Sequence, residues 1–253
     1  MVAIRVLATA DIHSPKYFTR FREAVKNLGR FDLVLLAGDL MEDGKIEGLK
    51  ILINELRKLS DNVIAVPGNE DYEEVMPRAK SLGFIRWLDD EVIRVNVNGI
   101  PLRIVGSRGS LERPTTWQLK NIPHITETYK RRVEWLKNTL NSSRELTILL
   151  IHYAPSFKTL EGEDPRIWPT LGVRDLESTI FSNNVIAIHG HAHESTLRCV
   201  KSGKSYIINA AFTNIWRPII IEIDAGGLRS VSVECREIKH EGKGGPSILD
   251  FMK

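Results

Sequence analysis

Cysteine is scarce in this chain, and long apolar runs are missing. Its 253 residues include only two cysteines, Cys199 and Cys235. Two cysteines are too few for a secreted scaffold held by several disulfides or for a cysteine-rich zinc module, so both classes are excluded. The longest apolar runs, such as residues 146–151, are far shorter than the roughly 18 residues that a membrane-spanning helix needs.

The first residues of the chain also lack the features of a signal peptide. Arg5 and Asp11 interrupt the apolar N-terminal stretch, whereas a secretory signal keeps that stretch free of charge. The stretch therefore predicts a β-strand. We expect a cytoplasmic protein that has no membrane partner.

The remaining composition is that of an ordinary globular protein. Hydrophobic residues make up 42% and charged residues 26% of the chain, and the formal net charge is +3. Residues 103–144 contain nine basic and three acidic residues. Two interpretations of this segment stay open: it attracts an anionic substrate, or it contains a solvated helix face.

Short apolar runs alternate with amphipathic patterns in the first third of the chain. This order predicts parallel strand pairing with right-handed crossovers. The predicted elements are strands at residues 3–8, 32–37 and 62–66, and helices at residues 18–28, 46–59 and 73–82.

The pattern changes after residue 83. A hairpin turned at Asn98-Gly99 is predicted first, and an irregular segment at residues 107–125 follows it. Further predicted elements are a helix at 126–140 with Thr126 as N-cap, a strand at 146–151, a helix at 173–181, a strand at 185–189, and antiparallel strands at 196–200, 205–209, 218–223 and 230–236. We expect an α/β protein in which residues 1–238 form one domain of two facing sheets with helices outside. Residues 239–253 are predicted to be a flexible tail.

Polar residues of the metal-ligand type follow five of the predicted strands. Because ligands bind at the carboxyl ends of strands in α/β sheets, these residues are expected to converge. They are Asp11 and His13, Asp39, Asn69, His152, and His191 and His193. Seven donors exceed the needs of one tetrahedral site but suit two divalent ions that share a carboxylate. The donor types accept Mn, Fe, Zn, Co or Ni.

The ordered set Asp11-x-His13, Gly38-Asp39, Gly68-Asn69, His152 and Gly190-His191-x-His193 resembles the calcineurin-like metallophosphoesterase superfamily. That resemblance implies a four-layer α/β/β/α sandwich and a site for two metal ions. It assigns Asp11, His13 and His193 to one ion, Asn69, His152 and His191 to the other, and Asp39 to both. It also implies hydrolysis of phosphate esters by a hydroxide that bridges the two metals.

Glu70 departs from the family pattern, in which many members have histidine after the Gly-Asn pair. A carboxylate acts as a general acid only if its pKa is raised. Two interpretations stay open: Glu70 orients a metal ligand or a metal-bound water, or the leaving group needs little acid assistance. Without the histidine cation, the site is expected to favour phosphodiesters over phosphomonoesters.

These observations predict a metal-dependent phosphoesterase that acts on small phosphate esters, with a phosphodiester as the first candidate substrate. Asp39, Asn69, Glu70 and His191 are the candidate catalytic residues. Arg108 and Arg113, in the long basic segment, are the candidate phosphate-binding residues. The alternatives are a nuclease of the same family, for which nucleic acid would be the partner, and a non-catalytic binding scaffold on the same fold.

Overall fold

The structure is a computed structural model that describes residues 3–238; the predicted tail at residues 239–253 lies outside this range. In chain order the elements are β1 (Ile4–Thr9), α1 (Phe18–Val25), β2 (Leu33–Ala37), α2 (Ile46–Leu59), β3 (Val63–Val66), α3 (Met76–Ser81), β4 (Arg86–Trp87), β5 (Glu91–Val97), β6 (Ile100–Ser107), α4 (Thr116–Asn121), α5 (Ile125–Asn141), β7 (Thr147–Ile151), α6 (Glu177–Phe181), β8 (Val185–His189), β9 (Cys199–Ser202), β10 (Ser205–Asn209), α7 (Phe212–Ile215), β11 (Ile219–Asp224), β12 (Gly227–Val231) and β13 (Arg236–Glu237).

The strands form two mixed sheets. A six-stranded sheet has the order β12-β11-β1-β2-β3-β4, and a seven-stranded sheet has the order β13-β9-β10-β8-β7-β6-β5. Strands β1 to β4 pair in parallel, as do β6, β7, β8 and β10. Because the parallel strands in each sheet point the same way, their carboxyl ends form one edge of that sheet.

The two sheets pack face to face, and helices cover their outer faces. In β2, Leu33 and Leu35 belong to the core between the sheets, whereas Val34 and Leu36 pack with the helices α1 and α2. All five residues of β2 are buried, which explains why its sequence is continuously apolar. Helices α5 and α6 cover the second sheet in the same way. The predicted α/β class and the four-layer arrangement are confirmed.

The short elements and the element ends differ from the sequence-based expectations. Residues 107–125 contain a helix, α4, whose N-cap Thr115 forms a capping box with Gln118. The N-cap of α5 is His124 and not Thr126. The predicted strand at 230–236 divides into β12 and β13, and β13 pairs in parallel with β9, so the last strands are not all antiparallel. Helix capping and strand pairing determine where these elements begin and end, and the periodicity of the sequence does not predict those positions.

Cys199 and Cys235 form a disulfide bond, which the sequence pattern did not predict. The bond joins the start of β9 to the residue before β13. Disulfides are rare in the cytosol outside hyperthermophiles, and the cytoplasmic location stays a prediction. None of the helices between residues 3 and 238 has the length and apolar character needed to cross a bilayer.

Candidate metal centre

The structure brings together the seven donor residues that the sequence predicts. Each follows the carboxyl end of β1, β2, β3, β7 or β8. Three overlapping groups have ligand atoms within 4.8 Å of one another: Asp11, His13 and His193; Asp39, His152 and His191; and His13, Asp39 and Glu70. Because Asp39 and His13 each occur in two groups, the groups form one continuous cluster.

The first group lies at the end of β1. Nε2 of His193 is 3.2 Å from Oδ1 of Asp11, and the rings of His13 and His193 are 5.7 Å apart. Nδ1 of His13 lies 2.9 Å from Oε2 of Glu70. A carboxylate oxygen accepts this bond, so Nδ1 carries the proton and Nε2 keeps a lone pair for a metal.

The second group lies between the two sheets. Nε2 of His152 is 3.6 Å from Oδ2 of Asp39 and 3.0 Å from Oδ1 of Asn69. Nδ1 of His152 is 2.8 Å from the carbonyl oxygen of Ala37. A carbonyl can only accept, so Nδ1 donates this bond and the lone pair of Nε2 faces Asp39 and Asn69. The ring of His191 lies 5.0 Å from that of His152.

The electrostatics of the cluster fit a bound cation. Burial, together with the negative charge of Asp11, raises the pKa of Asp39 well above its usual range. Burial also lowers the pKa of His152, and it lowers that of His191 to about 3. Metal ligands must be deprotonated, so neutral imidazoles suit a metal, and a bound cation would offset the cost of burying the charge of Asp39. The residues present therefore fit two divalent ions.

Hydrogen bonding has a different effect on Asp11. Burial alone would raise the pKa of Asp11, but the hydrogen bond from His193 and the charge of that ring outweigh it. The net result is a pKa below the usual range for this carboxyl group. Asp11 is therefore ionised and suited to a cation.

The backbone is constrained where it presents these ligands. Asp11, His13, Asp39 and His191 all have positive φ values, between 42° and 68°. Positive φ is uncommon outside glycine and is often found at functional sites. A Cβ atom on Gly190 would lie 2.6 Å from Oδ2 of Asp11, so glycine at this position allows the two ligand loops to approach each other.

Glu70 occupies a bridging position between two ligands. Its carboxylate pairs with His13, and its backbone N–H donates to Oδ1 of Asp39 at 2.8 Å. The hydrogen bond with His13 lowers the pKa of Glu70. An ionised carboxylate cannot act as a general acid at neutral pH, so the geometry favours the interpretation in which Glu70 orients a ligand.

Several supporting residues carry no recognisable signal in the sequence. Buried Asp71 accepts hydrogen bonds from the backbone N–H groups of Leu40, Met41 and Gly68, and so fixes the loops that carry Asp39 and Asn69. The side chain of Asn214 donates to the carbonyl oxygen of His193 at 3.1 Å. Their polar type suits many surface positions, and only the folded loops give them these roles.

Arg108 and Arg113 have protein partners away from the cleft. Arg108 pairs with Asp89 and donates to the carbonyl oxygens of Gly68 and Asp71, and it therefore supports the Asn69 loop. The guanidinium of Arg113 donates to the carbonyl oxygen of Arg166. Neither arginine lines the cleft at the donor cluster. The structure thus does not bring them to the site, and phosphate binding by these residues stays a prediction.

The donors open into a cleft of about 350 Å³. Beyond His13, Asp39, Asn69, His191 and His193, its lining consists of three glutamates and two apolar residues: Glu70, Glu163, Glu194, Ile167 and Leu171. No lysine or arginine lines this cleft among the residues that the structure describes. The donor cluster is therefore approached through an acidic and partly apolar opening.

Comparison with known proteins agrees with the fold and the donor set. The calcineurin-like phosphoesterase family matches residues 4–195. The match covers most of the chain, and the chain belongs to this family.

Individual relatives are more distant. A probable glycerophosphodiester phosphodiesterase, GpdQ of Arcobacter nitrofigilis, is 23% identical over 209 residues, which cover 81% of this chain and 67% of that protein. The phosphopantetheinyl hydrolase PptH of Mycobacterium tuberculosis has a similar structure, with a TM-score of 0.58 and 14% identity over 81% of this chain and 88% of that one. GAP50, the anchor in the inner membrane complex of Plasmodium, has a TM-score of 0.55 and 11% identity over 90% and 83% of the two chains. At these identities the structural matches show the fold alone.

Proposed function

We propose that this phosphoesterase-family protein is a phosphodiesterase that works with two divalent metal ions. The proposed ligands are Asp11, His13 and His193 for one ion, Asn69, His152 and His191 for the other, and Asp39 for both. The observation that carries this proposal is the overlap of the donor groups at Asp39 and His13. Two ions bound there would supply a nucleophilic oxygen at neutral pH and neutralise charge that develops on the phosphate.

Hydrogen bonds within the protein hold the proposed metal ligands in position. Asp39 accepts the backbone N–H of Glu70, and the bond from His152 to Ala37 fixes the ring orientation of that histidine. Glu70 holds the tautomer of His13 in which Nε2 is free. We infer that Asp39, Asn69 and His191 contact the ions that touch the reacting phosphate, whereas Glu70 acts through His13.

The charge of the cleft favours a diester over a monoester. A phosphomonoester carries up to two negative charges at neutral pH and a phosphodiester carries one. The glutamates that line the cleft repel the additional charge, and no basic side chain in the described part of the chain offsets it there. The distant similarity to a probable glycerophosphodiester phosphodiesterase points the same way.

The basic segment at residues 103–144 gives less support to a nuclease. Arg103 is buried and donates to the carbonyl oxygen of Thr139. Arg132 pairs with Asp90, and Lys137 pairs with Asp175. Because these cations already have protein partners, a small phosphodiester is the proposed substrate and nucleic acid is the less favoured alternative.

The test combines metal analysis with two aryl substrates. Purified protein is assayed for bound metal, and then for hydrolysis of bis(p-nitrophenyl) phosphate and p-nitrophenyl phosphate with Mn, Fe, Zn, Co or Ni added. We expect bound metal and a higher kcat/KM for the diester. A clear monoester preference contradicts the diester proposal. Bound metal without turnover of either ester supports the scaffold alternative.

A further inference from the structure

The candidate metal donors come from both sheets, and a short segment without donors lies between two groups of them. Asp11 follows β1 of the six-stranded sheet, whereas His191 and His193 lie in the loop after β8 of the seven-stranded sheet, here called the histidine loop. Residues 209–212, called the connector, begin at the end of β10, which pairs with β8. A segment in this place can fix the distance between Asp11 and the histidine loop.

Asn209 is the residue of the connector whose side chain reaches the histidine loop. The side chain is completely buried. Its Nδ2 donates to the carbonyl oxygen of Ala192 at 2.8 Å, and Ala192 lies between His191 and His193 in the chain. Its Oδ1 accepts the backbone N–H of Ala211 at 3.0 Å. The amide of Asn209 therefore joins the histidine loop to the connector.

The connector is also hydrogen-bonded to the residue that precedes Asp11. The backbone N–H of Ala10 donates to the carbonyl oxygen of Ala210 at 3.0 Å, and the backbone N–H of Phe212 donates to the carbonyl oxygen of Ala10 at 2.9 Å. Asn209 thus completes a hydrogen-bonded path between the two sheets, from the end of β1 to the histidine loop.

The same two groups of donors also touch directly, but that contact uses atoms that a metal ion would need. The backbone N–H of His191 donates to Oδ2 of Asp11 at 3.0 Å, and Nε2 of His193 lies 3.2 Å from Oδ1 of Asp11. The path through Asn209 uses only amide and carbonyl groups outside the candidate ligand set. It can therefore hold the spacing whether or not the carboxylate binds an ion.

Arg198 holds the connector itself in place. Arg198 is only 7% exposed, and its Nη2 donates to the carbonyl oxygens of Asn209 and Ala211 at 2.8 and 3.2 Å. Burial lowers the pKa of Arg198 to about 10, so the guanidinium is still charged at neutral pH. Because a charged donor makes stronger hydrogen bonds than a neutral one, the backbone that carries Asn209 is firmly held.

We propose that Asn209 is a positioning residue of the metal centre, which sets the spacing between Asp11 and the histidine loop. This inference rests on the proposed function, because it assumes that divalent ions bind at these donors. Donors that are already held at the required spacing lose little conformational freedom when an ion binds. Removal of the amide should weaken binding of both ions, since His191 and His193 are proposed ligands of different ions.

The test compares Asn209→Ala with a matched control, Asn183→Ala. Asn183 is also buried, at 7% exposure, and its Nδ2 donates to the carbonyl oxygen of Thr179 at 2.8 Å. It precedes β8, whereas the donors follow that strand. Binding of Co²⁺ to the metal-free proteins is measured by calorimetry. We expect a loss of affinity of about tenfold or more in Asn209→Ala and the affinity of the wild type in Asn183→Ala.

A spectroscopic measurement separates positioning from general destabilisation. The visible absorption bands of bound Co²⁺ depend on its coordination geometry, so a changed donor spacing should shift the bands in Asn209→Ala and leave them unchanged in Asn183→Ala. Thermal unfolding without metal shows how far each variant is destabilised. If Asn209→Ala does not fold, Asn209→Ser, which loses the amide but keeps a hydroxyl group, takes its place with the same expected results.

The outcomes distinguish this inference from the proposed function. If the wild type binds Co²⁺ and the Asn209 variant keeps both the affinity and the spectrum, the inference is overturned and the proposed function stands. Losses of affinity that merely follow the losses of thermal stability in both variants also overturn it, because Asn209 then acts only on the fold. If the variants behave as expected but no phosphate ester is hydrolysed with any metal, the inference stands and the proposed function fails. A wild type without affinity for divalent ions contradicts both.

Discussion

Nδ1 of His13 lies 2.9 Å from Oε2 of Glu70, and this contact gives a structural role to the residue that departs from the family pattern. The glutamate holds the imidazole in the tautomer that leaves Nε2 free for a metal ion. This geometry favours the interpretation in which Glu70 orients a ligand, and that role stays a prediction.

Substitution of Glu70 tests this role directly. Glu70→Ala removes the acceptor for His13, and we expect metal affinity to fall by about 10–100-fold, the usual cost of losing such a partner. Glu70→Gln keeps an acceptor oxygen and should lose less. Metal titration by calorimetry measures both, with Glu73→Ala, at an exposed position on the same segment, as the control. The opposite outcome would indicate that Glu70 is a general acid. In that case the Gln and Ala variants would lose activity equally and keep their metal affinity, and the alkaline limb of the pH–rate profile would disappear.

Asp39→Asn should abolish the paired metal site while leaving the fold intact. Asp39 is 2% exposed and is the carboxylate that two donor groups share. We expect metal content and kcat/KM to fall by more than the roughly 100-fold that loss of an outer partner costs. Because burial disfavours the charged form of Asp39, the metal-free variant should be at least as stable as the metal-free wild type. Thermal unfolding with and without added metal measures this, and a variant that still gains stability from metal would contradict the shared-ligand role.

His189 should make the metal-free protein less stable in acid. Its side chain is buried between Thr159 and the carbonyl oxygen of Gly190, and burial lowers its pKa from 6.5 to about 4. The unfolded chain therefore binds a proton before the folded chain does as the pH falls. The associated stability is fully present above pH 6.5 and is lost as the pH falls to about 4; it amounts to about 3 kcal/mol at 1.36 kcal/mol per pKa unit.

The corresponding measurement is the free energy of unfolding against pH in the presence of a chelator. His189→Gln keeps hydrogen-bonding capacity at this position but does not titrate. The slope between pH 6.5 and 4 should be smaller in the variant by about one proton. Identical slopes in the two proteins would show that His189 does not contribute. His152 and His191 are present in both, so the difference isolates His189.

The disulfide should contribute to stability in oxidising conditions. Cys199 and Cys235 are 36 residues apart, and closing a loop of that length stabilises the folded state by about 4 kcal/mol in the chain-entropy description. Reduction should therefore lower the free energy of unfolding of the wild type by this order. Cys235→Ser should show the same loss without reductant and no further loss with it. A wild type whose unfolding is insensitive to reductant contradicts the prediction.

The long elements of the fold were predictable because their sequence patterns are strong. Helix α2 has the predicted bounds, and β8 and β10 also match. The helix predicted at residues 73–82 is shorter in the structure, as α3, because residues 72–75 form turns before it. Periodicity identifies a buried face, but hydrogen bonding at the ends decides where an element stops.

The donor residues were predictable for a different reason. Each polar motif after a strand is weak by itself, but five of them occur in order, and parallel strands bring their carboxyl ends to one edge. Asp11 and His193 are far apart in the chain, yet Nε2 of His193 lies 3.2 Å from Oδ1 of Asp11. Asp11 follows β1 of the six-stranded sheet and His193 follows β8 of the seven-stranded sheet, so the packing of the two sheets against each other makes this contact.

The sequence by itself determined the α/β class and the set of candidate metal donors, because strand periodicity and ligand-type residues at strand ends are local features. Only the tertiary structure decided that Arg108 supports the Asn69 loop, that Glu70 pairs with His13, and that Glu163 lines the cleft. These roles depend on contacts between loops that are distant in the chain, and the length and path of each loop fix them. The sequence gives the charge of a side chain, but the folded structure determines its partner.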